Sequence, residues 1–410
     1  MLFLFRSNIK VLFENFVSLG ALKAINLIMP LIVLPYVIKI IGLSLYGEIV
    51  FAIALINYFI PIVDYSFAIT GTREVARSRN NNERLNEIVS EIYFVKGVLC
   101  IISIFILVVL IILVPSFNQN ALLYIFSIPM LIGNMLFPDW FFQGIEKMKY
   151  ISVINIVVKI ISVAIIFLFL KTKKDFLVYP ISFSLGYMIS GFIGLYILLN
   201  RFKLKISPIK KDTFIELLKS NFPIFVNQFL PSLYNNTTTF ILGLFAPKPS
   251  VGIYDALRKL INIFDVIISV ISRVIFPYLV KNSNRFEKFK NILLLLFIPI
   301  CATPIFLNKQ IATYFTIGDY DVFWLIFILM IGVYCLLLYN IFGVNFFIAR
   351  GYDKLVMKNT LIASVVGFIV SFPLVYYWGA LGAALSLSLS RLFMGGGLTF
   401  RYMYLKGNII

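Results

Sequence analysis

A stripe of polar and charged side chains runs along an apolar stretch between residues 251 and 281. The stretch is long enough to cross a bilayer, since a spanning helix needs roughly 20 residues at ~1.5 Å each. Spacings of three and four residues place the polar positions on one helical face. An ionised group that faces lipid costs about 2.5–3.5 kcal/mol, so we expect the stripe to line a protein interior or a wet cavity. The stripe consists of Asp255, Arg258, Asn262, Asp265, Ser269 and Ser272.

Cations placed deep in the apolar stretches give the chain the chemistry to bind an anion. Arg258 and Arg391 lie well inside predicted spans, and we predict that both line a cavity. Lys259 is a further candidate ligand, with the alternative that it pairs with Asp255, its neighbour four residues earlier on the helix.

Three lysines in the first half of the chain share one predicted depth. Lys23, Lys96 and Lys159 each follow the cytoplasmic start of a span by about eight residues, which is roughly 12 Å of helix. Together they form a candidate ring of positive charge for an anionic substrate. The alternative is that each lysine snorkels to the lipid headgroups or pairs with a carboxylate.

Carboxylates within the spans are the candidates for ion coupling. The chain has no histidine, so proton coupling would use groups such as Asp64, Asp139 and Asp265. Asp64 lies seven residues after Asn57 and therefore on the same helical face. The alternative for each carboxylate is a structural ion pair with a neighbouring helix.

Amides and prolines gather in the seventh predicted span. We single out Asn235 as a substrate ligand, because an amide can both donate to and accept from sugar hydroxyls. The alternative is that the amides only hold neighbouring helices together. Pro223 and Pro231 free backbone carbonyls in the same span and permit it to bend.

Composition indicates a polytopic membrane protein. Of 410 residues 61% are hydrophobic and 13% charged, and the mean hydropathy is +0.97, far from the composition of a soluble domain. The net charge of +18 lies in short basic runs between apolar spans, which is how membrane topology is set, so we expect no nucleic-acid partner. Without histidine, a phosphate-binding loop or a nucleophile beside a base, we expect no metal, no organic cofactor and no enzymatic activity.

Hydropathy predicts an all-α fold of twelve transmembrane helices in two six-helix lobes. The lobes are predicted at 1–200 and 220–410, joined by a cytoplasmic linker at 201–219. The two halves share similar residues at a spacing near 205 positions, as Gly47 and Gly252 do. This similarity indicates a parallel repeat, and transporters with such a repeat hold substrate between the halves. The spans lie near 15–38, 45–69, 88–114, 120–142, 151–170, 177–199, 220–245, 251–280, 289–308, 322–348, 356–377 and 380–403.

Basic residues predict the orientation of these spans. The side that would hold both termini carries 23 Lys and Arg, against 6 on the opposite side. The positive-inside rule therefore places both termini in the cytoplasm.

Three motifs resemble those of the Wzx-type flippases. These flippases form the polysaccharide transport branch of the exporter superfamily that also holds the multidrug (MATE) exporters and the lipid II flippase. The resemblance covers essentially the whole chain. The motifs are Pro35-Tyr36 with Gly42 and Tyr46-Gly47, the run from Gly71 to Ala76, and the run from Trp140 to Tyr150.

The resemblance implies a MATE-like fold around a cationic cavity, in the bacterial cytoplasmic (inner) membrane. The implied activity is the transfer of an undecaprenyl-pyrophosphate-linked O-antigen or related repeat unit to the outer leaflet by alternating access, driven by an H⁺ or Na⁺ gradient. The implied partners are this lipid-linked oligosaccharide, membrane lipids, and the O-antigen polymerase and chain-length regulator. Arg258 falls on the helix where related flippases keep a cavity cation, whereas Lys23 departs from the arginine often found on their first helix.

Two other classes of protein are alternatives to this one. A multidrug exporter of the same superfamily should have an anionic or aromatic cavity, and the seven Lys and Arg within the predicted spans argue against it. An O-antigen polymerase should carry a large outward loop with catalytic arginines, whereas the longest outward loop predicted here, 308–321, is about a dozen residues.

Overall fold

The computed structural model describes the backbone of residues 2–318 and 320–407 and the side-chain surroundings of 14–15, 17–210, 212–226, 228–229, 238–318 and 320–405. Within these residues the regular structure is helical and no strand occurs, which confirms the all-α prediction. The helices are α1 (Leu2–Asp64), α2 (Phe67–Arg77), α3 (Asn82–Leu113), α4 (Pro115–Asn118), α5 (Ala121–Ile125), α6 (Pro129–Leu136), α7 (Asp139–Gly144), α8 (Lys149–Phe169), α9 (Val178–Tyr196), α10 (Lys211–Phe245), α11 (Lys248–Lys281), α12 (Phe286–Phe306), α13 (Asn308–Tyr314), α14 (Phe323–Leu338) and α15 (Asp353–Gly407). Two π-helical segments, Ile197–Arg201 and Tyr339–Phe347, continue α9 and α14.

Nine helical segments of the described chain are long and apolar enough to cross a membrane. Two of them, Val17–Arg77 with 61 residues and Asp353–Leu405 with 53, are far longer than one crossing needs. Each contains a glycine in the left-handed region, Gly42 at φ 81° and Gly379 at φ 51°, which divides α1 and α15 into two helices apiece. The nine segments therefore hold more than nine helices of crossing length, and the count of twelve stays a prediction.

Packing divides the chain into two compact units. Unit 1 consists of Met1–Val33 with Ala52–Phe229, and unit 2 of Leu34–Phe51 with Leu230–Ile410. We call Leu34–Phe51 the docking segment, because it packs with the second half of the chain although both of its flanks belong to unit 1. The lobe boundaries at 200 and 220 stay a prediction.

Aromatic residues from the 140–150 motif form much of the core of unit 1. Trp140, Phe141 and Phe142 on α7 are each at most 1% exposed. Helix α2 packs closely on α7. A Cβ at Gly144 would lie only 2.6 Å from the side chain of Val75, so a larger residue would not fit there. The glycine in this motif thus permits a helix contact that a larger residue would block.

The polar end of the same motif is held by side chains from outside it. Arg79 donates to the carbonyl of Gly144 at 2.6 Å and to Oε1 of Glu146 at 2.8 Å. Asn15 donates to the carbonyl of Glu146 at 2.9 Å and accepts from the N–H of Met148 at 3.1 Å. These bonds support Glu146, whose φ of 59° is unfavourable for a residue with a Cβ. In this structure the residues of the motif therefore stabilise the fold of unit 1.

Close backbone contact holds the docking segment within unit 2. A Cβ at Gly47 would lie 1.8 Å from the carbonyl oxygen of Lys248, and a Cβ at Gly252 would lie 3.4 Å from the backbone nitrogen of Gly47. The two glycines that the sequence repeat matches therefore touch each other. The Phe51 ring packs on the bare backbone of Gly243, where a Cβ would lie 2.1 Å from it.

Gly47→Ala should destabilise the protein, because the added methyl group would overlap the Lys248 carbonyl and force two backbones apart. Overpacking of this kind costs about 1–3 kcal/mol. Gly97→Ala is the matched control, since nothing lies within 4 Å of a Cβ at that position. Thermal unfolding of the detergent-purified variants should show a lower midpoint for Gly47→Ala alone. Equal midpoints for both variants would contradict the close contact.

Candidate functional site

An arginine deep in unit 2 is bound by a carboxylate. Arg391 on α15 is 5% exposed and donates to both carboxylate oxygens of Asp265 on α11, with Nη1 3.0 Å from Oδ1. Such bidentate pairing compensates two charges that would be costly alone in an apolar interior. The predicted roles of Arg391 in substrate binding and of Asp265 in ion coupling stay predictions, and in this structure each group is the partner of the other.

A second ion pair joins α11 to the docking segment. Nζ of Lys259 lies 2.7 Å from Oδ2 of Asp255 and donates to the hydroxyl of Tyr46 at 3.1 Å. The Tyr46 hydroxyl in turn donates to Asp255. The pairing of Lys259 with its neighbour four residues earlier is therefore present, and a contact of Lys259 with substrate stays a prediction.

The rest of the polar stripe on α11 has mixed surroundings. Arg258 is half-buried, and its Nη1 donates to the hydroxyl of Tyr254 at 3.4 Å. Asn262 is exposed, whereas Ser272 is 2% exposed and accepts a hydrogen bond of 2.6 Å from Asn345 in the second π-helical segment. The end of the stripe at Ser272 thus faces the interior of unit 2.

Unit 1 contains a comparable buried pair. Lys96 on α3 is 1% exposed, and its Nζ lies 2.9 Å from Oδ1 of Asp64. Asn134 on α6 completes the arrangement: its Nδ2 donates to Asp64 at 2.9 Å, and its carbonyl accepts from Lys96 at 3.3 Å. Lys96 therefore forms an ion pair, which was the alternative to a place in a ring of positive charge. The role of Asp64 in ion coupling stays a prediction.

A cavity of 390 Å³ lies among the helices of unit 1. It brings together Lys159, a predicted substrate ligand, and Asp139, a predicted ion-coupling residue. Lys159 donates to Oδ1 of Asn26 at 2.5 Å, and Asp139 accepts from the backbone N–H of Trp140 at 2.8 Å. The chief polar groups of the lining are Asn26, Asn134, Asp139, Asn155, Lys159 and Tyr187.

Two predicted ligands lie outside these clusters. Lys23 on α1 is exposed and forms no ion pair with a described side chain. Asn235 lies on α10, but its side chain falls outside the described residues. Both stay predicted substrate ligands.

Sequence reasoning missed several groups that the fold brings to the cavity. A signal existed for two of them, because Asn26 follows Lys23 by three residues and Asn155 precedes Lys159 by four, so each shares a helical face with a lysine already singled out. Tyr187 carried no comparable signal. Among the described residues no group of three or more His, Cys, Asp or Glu is placed to hold a metal ion, and the expected absence of a cofactor stays an expectation.

Comparison with known proteins identifies relatives over nearly the whole chain. A family model described as "Polysaccharide biosynthesis protein" matches residues 12–283. A protein of Escherichia coli (strain K12), provisionally named O-antigen transporter, is 25% identical over 384 residues, which are 91% of this chain and 92% of that protein. A Shigella dysenteriae protein of the same name is 25% identical over 390 residues, 91% of this chain and 96% of its own.

Two solved structures share the fold. A lipid II flippase MurJ in an inward closed conformation has a TM-score of 0.69 at 16% identity and covers 95% of this chain and 87% of its own. An inward-facing MATE family multidrug resistance transporter has a TM-score of 0.65 at 12% identity and covers 92% of this chain and 98% of its own. These likenesses confirm the MATE-like exporter fold. The relatives and neighbours are named as transporters and a flippase, which confirms the expectation that the chain is not an enzyme.

Arg391→Gln should strongly destabilise the protein, because it leaves the carboxylate of Asp265 without its counter-charge. Breaking a buried pair from one side costs about 3–5 kcal/mol. The double variant Arg391→Gln/Asp265→Asn removes both charges and should recover much of this loss. Arg273→Gln, at an exposed position of α11, is the control. The idea fails if thermal unfolding in detergent finds the double variant no more stable than the single one.

Proposed function

Because the chain belongs to the polysaccharide biosynthesis protein family, we propose that it is a flippase for an undecaprenyl-pyrophosphate-linked O-antigen or related repeat unit. The flippase moves this unit from the cytoplasmic to the periplasmic leaflet by alternating access. The observation that carries the proposal is the extent of the match to the O-antigen transporter relatives, which takes in 91% of this chain and 92% of the Escherichia coli protein. A match of that extent leaves no large part of either protein without a counterpart.

The charges of the apolar helices suit an anionic headgroup. Lys23 is exposed and without an ion pair among the described side chains, and Arg258 lies half-buried on the polar stripe of α11. A cation ~4 Å from a phosphate charge contributes about 4 kcal/mol at an effective dielectric near 20, and a guanidinium adds bidentate hydrogen bonds. Lys23 and Arg258 are each proposed as a cation that contacts the pyrophosphate during transport. Arg391 and Lys259 are each paired with a carboxylate, and each would contact the pyrophosphate only after releasing that carboxylate.

The glycan would use other residues. Lys159 and Asn235 are the predicted ligands that we assign to it, since their ammonium and amide groups can bond to sugar hydroxyls. The prenyl tail needs no polar ligand, because it is soluble in the lipid around the helices.

An H⁺ or Na⁺ gradient is the proposed energy source. Asp64 and Asp265 are each bound by a cation of their own unit. Asp139 instead lines the cavity of unit 1, and its described hydrogen bond comes from a backbone N–H. Asp139 forms no direct ion pair with a described side chain, since the charge of Lys96 reaches it from beyond ion-pair distance, so Asp139 is the favoured coupling residue of the three.

The proposed location is the bacterial cytoplasmic membrane, with both termini in the cytoplasm. The O-antigen polymerase and chain-length regulator are the proposed partners, because repeat units that reach the periplasmic leaflet must next be joined into chains. A cation-coupled multidrug exporter is the alternative function. The MATE likeness, at 12% identity, is one of fold alone, and the lysines and arginines of the predicted spans disfavour a cationic drug.

Lys23→Gln and Arg258→Gln should each lower surface glycan in a flippase-null strain at unchanged protein abundance, because each removes a charge that faces the pyrophosphate. Lys23→Arg and Arg258→Lys keep the charge and should restore part of the export. Glycan returned to the cell surface is the readout, normalised to flippase in the membrane, and Arg273→Gln is the control. Full export with both cations removed would refute the assignment, and drug resistance without any glycan would favour the exporter.

Asp139→Asn should slow export at normal abundance and make the remaining export insensitive to ionophores that collapse the H⁺ or Na⁺ gradient. Asp64→Asn should instead reduce abundance, because it leaves the buried ammonium of Lys96 uncompensated. Surface glycan measured with and without ionophore separates the two effects. Unchanged ionophore sensitivity in Asp139→Asn would return Asp139 to a structural role.

A further inference from the structure

The cavity of unit 1 has a lining whose charges balance. Among the described residues of the lining only Asp139 and Lys159 carry a charge, one of each sign. The neighbouring pair of Asp64 and Lys96, held by Asn134 at the cavity wall, is also neutral in sum. An excess of positive charge would favour a pyrophosphate and an excess of negative charge an organic cation, whereas this lining has neither. The cavity therefore favours an uncharged ligand.

The polar groups of the lining offer both donors and acceptors. Nδ2 of Asn155 donates one of its two N–H groups to the carbonyl of Ile151 at 2.8 Å, which leaves the acceptor Oδ1 and a second N–H. Oδ1 of Asn26 accepts from Lys159, so its Nδ2 remains as a donor. Tyr187 adds a hydroxyl that can do either. A ligand with several hydroxyl groups, each both donor and acceptor, matches this set.

Apolar surface accompanies these polar groups. Phe137, Phe183 and the ring of Tyr187 contribute aromatic faces to the same cavity. The carbon-bound hydrogens of a pyranose ring form an apolar face that packs on such rings, as the apolar walls of small-molecule sites commonly do.

The volume of the cavity is large enough for a small ligand. At 390 Å³ the cavity lies near the lower end of the range of about 300–1,000 Å³ for small-molecule sites. This is on the order of a dozen times the ~30 Å³ that one water occupies, which is space enough for a sugar ring.

We propose that this cavity binds one uncharged hexopyranose ring of the glycan, an inference that rests on the proposed function. The pyrophosphate is then bound elsewhere, and the cavity selects the repeat unit by the hydroxyl pattern of a single sugar. Lys159 acts here as a hydrogen-bond donor held by Asn26, rather than as a counter-charge to phosphate.

Binding of simple glycosides to the purified protein tests the proposal. Methyl β-glucopyranoside and methyl β-galactopyranoside are the probes, observed by saturation-transfer difference NMR on the protein in detergent micelles. Asn155→Ala removes the acceptor, and Tyr187→Phe removes one hydroxyl with little change of shape. Asn200→Ala is the matched control, because Asn200 also donates to the carbonyl four residues earlier, at 3.1 Å from Tyr196, but is exposed and outside the cavity.

At least one glycoside should bind to wild type and to Asn200→Ala, and roughly three- to tenfold more weakly to Asn155→Ala and Tyr187→Phe, the loss typical of one neutral hydrogen bond. Inorganic pyrophosphate and tetraphenylphosphonium should not displace it. The proposal is overturned if neither glycoside binds, if both cavity variants bind like wild type, or if pyrophosphate competes.

Complementation separates this proposal from the function on which it rests. If wild type restores surface glycan in the flippase-null strain while the glycosides fail to bind at the cavity, only the cavity assignment falls. If the glycosides bind as expected but no surface glycan returns, the flippase function falls and the sugar site remains.

Discussion

Hydrocarbon solvates no charge, so an ionised side chain within an apolar helix bundle persists only where a counter-charge or a set of hydrogen bonds meets it. Three ion pairs of the described chain meet this requirement, and two of them join different helices. Arg391 and Asp265 tie α15 to α11, and Lys96 and Asp64 tie α3 to α1. The pairs therefore have two consequences at once. They remove the cost of burying charge, and they fix which helices are neighbours within each unit.

The proposed substrate makes two opposite demands on such a protein. Its pyrophosphate needs positive charge, whereas its sugars need hydrogen bonds in surroundings without net charge. The assignments proposed here meet the two demands with different residues. Lys23 and Arg258 serve the headgroup, and the balanced cavity around Asn155 serves a sugar. Such a separation would let the same fold accept different glycans through changes in the cavity alone.

Properties carried by neighbouring residues could be predicted from the sequence. Apolar runs gave the helical fold, and a spacing of four gave the pair of Lys259 with Asp255. The pair of Arg391 with Asp265 could not be derived in this way, although both residues were singled out, because 126 positions separate them and no local pattern shows which helices pack together. The cavity was missed for the same reason, since its shape depends on how α6, α8 and α9 meet. The repeat matched Gly47 to Gly252, but only the structure places these two glycines in contact.

The docking segment has a consequence for how the chain is made. Tyr46 and its partner Asp255 are separated by 209 positions, so at a synthesis rate of ~5–20 residues per second the segment waits about 10–40 s for the helix on which it finally rests. For most of that interval Lys248 and Gly243, which contact Gly47 and Phe51 in the folded protein, have not yet been made. A product truncated before α11 would lack both Lys248 and Asp255, so this segment would remain without the contacts that bury it.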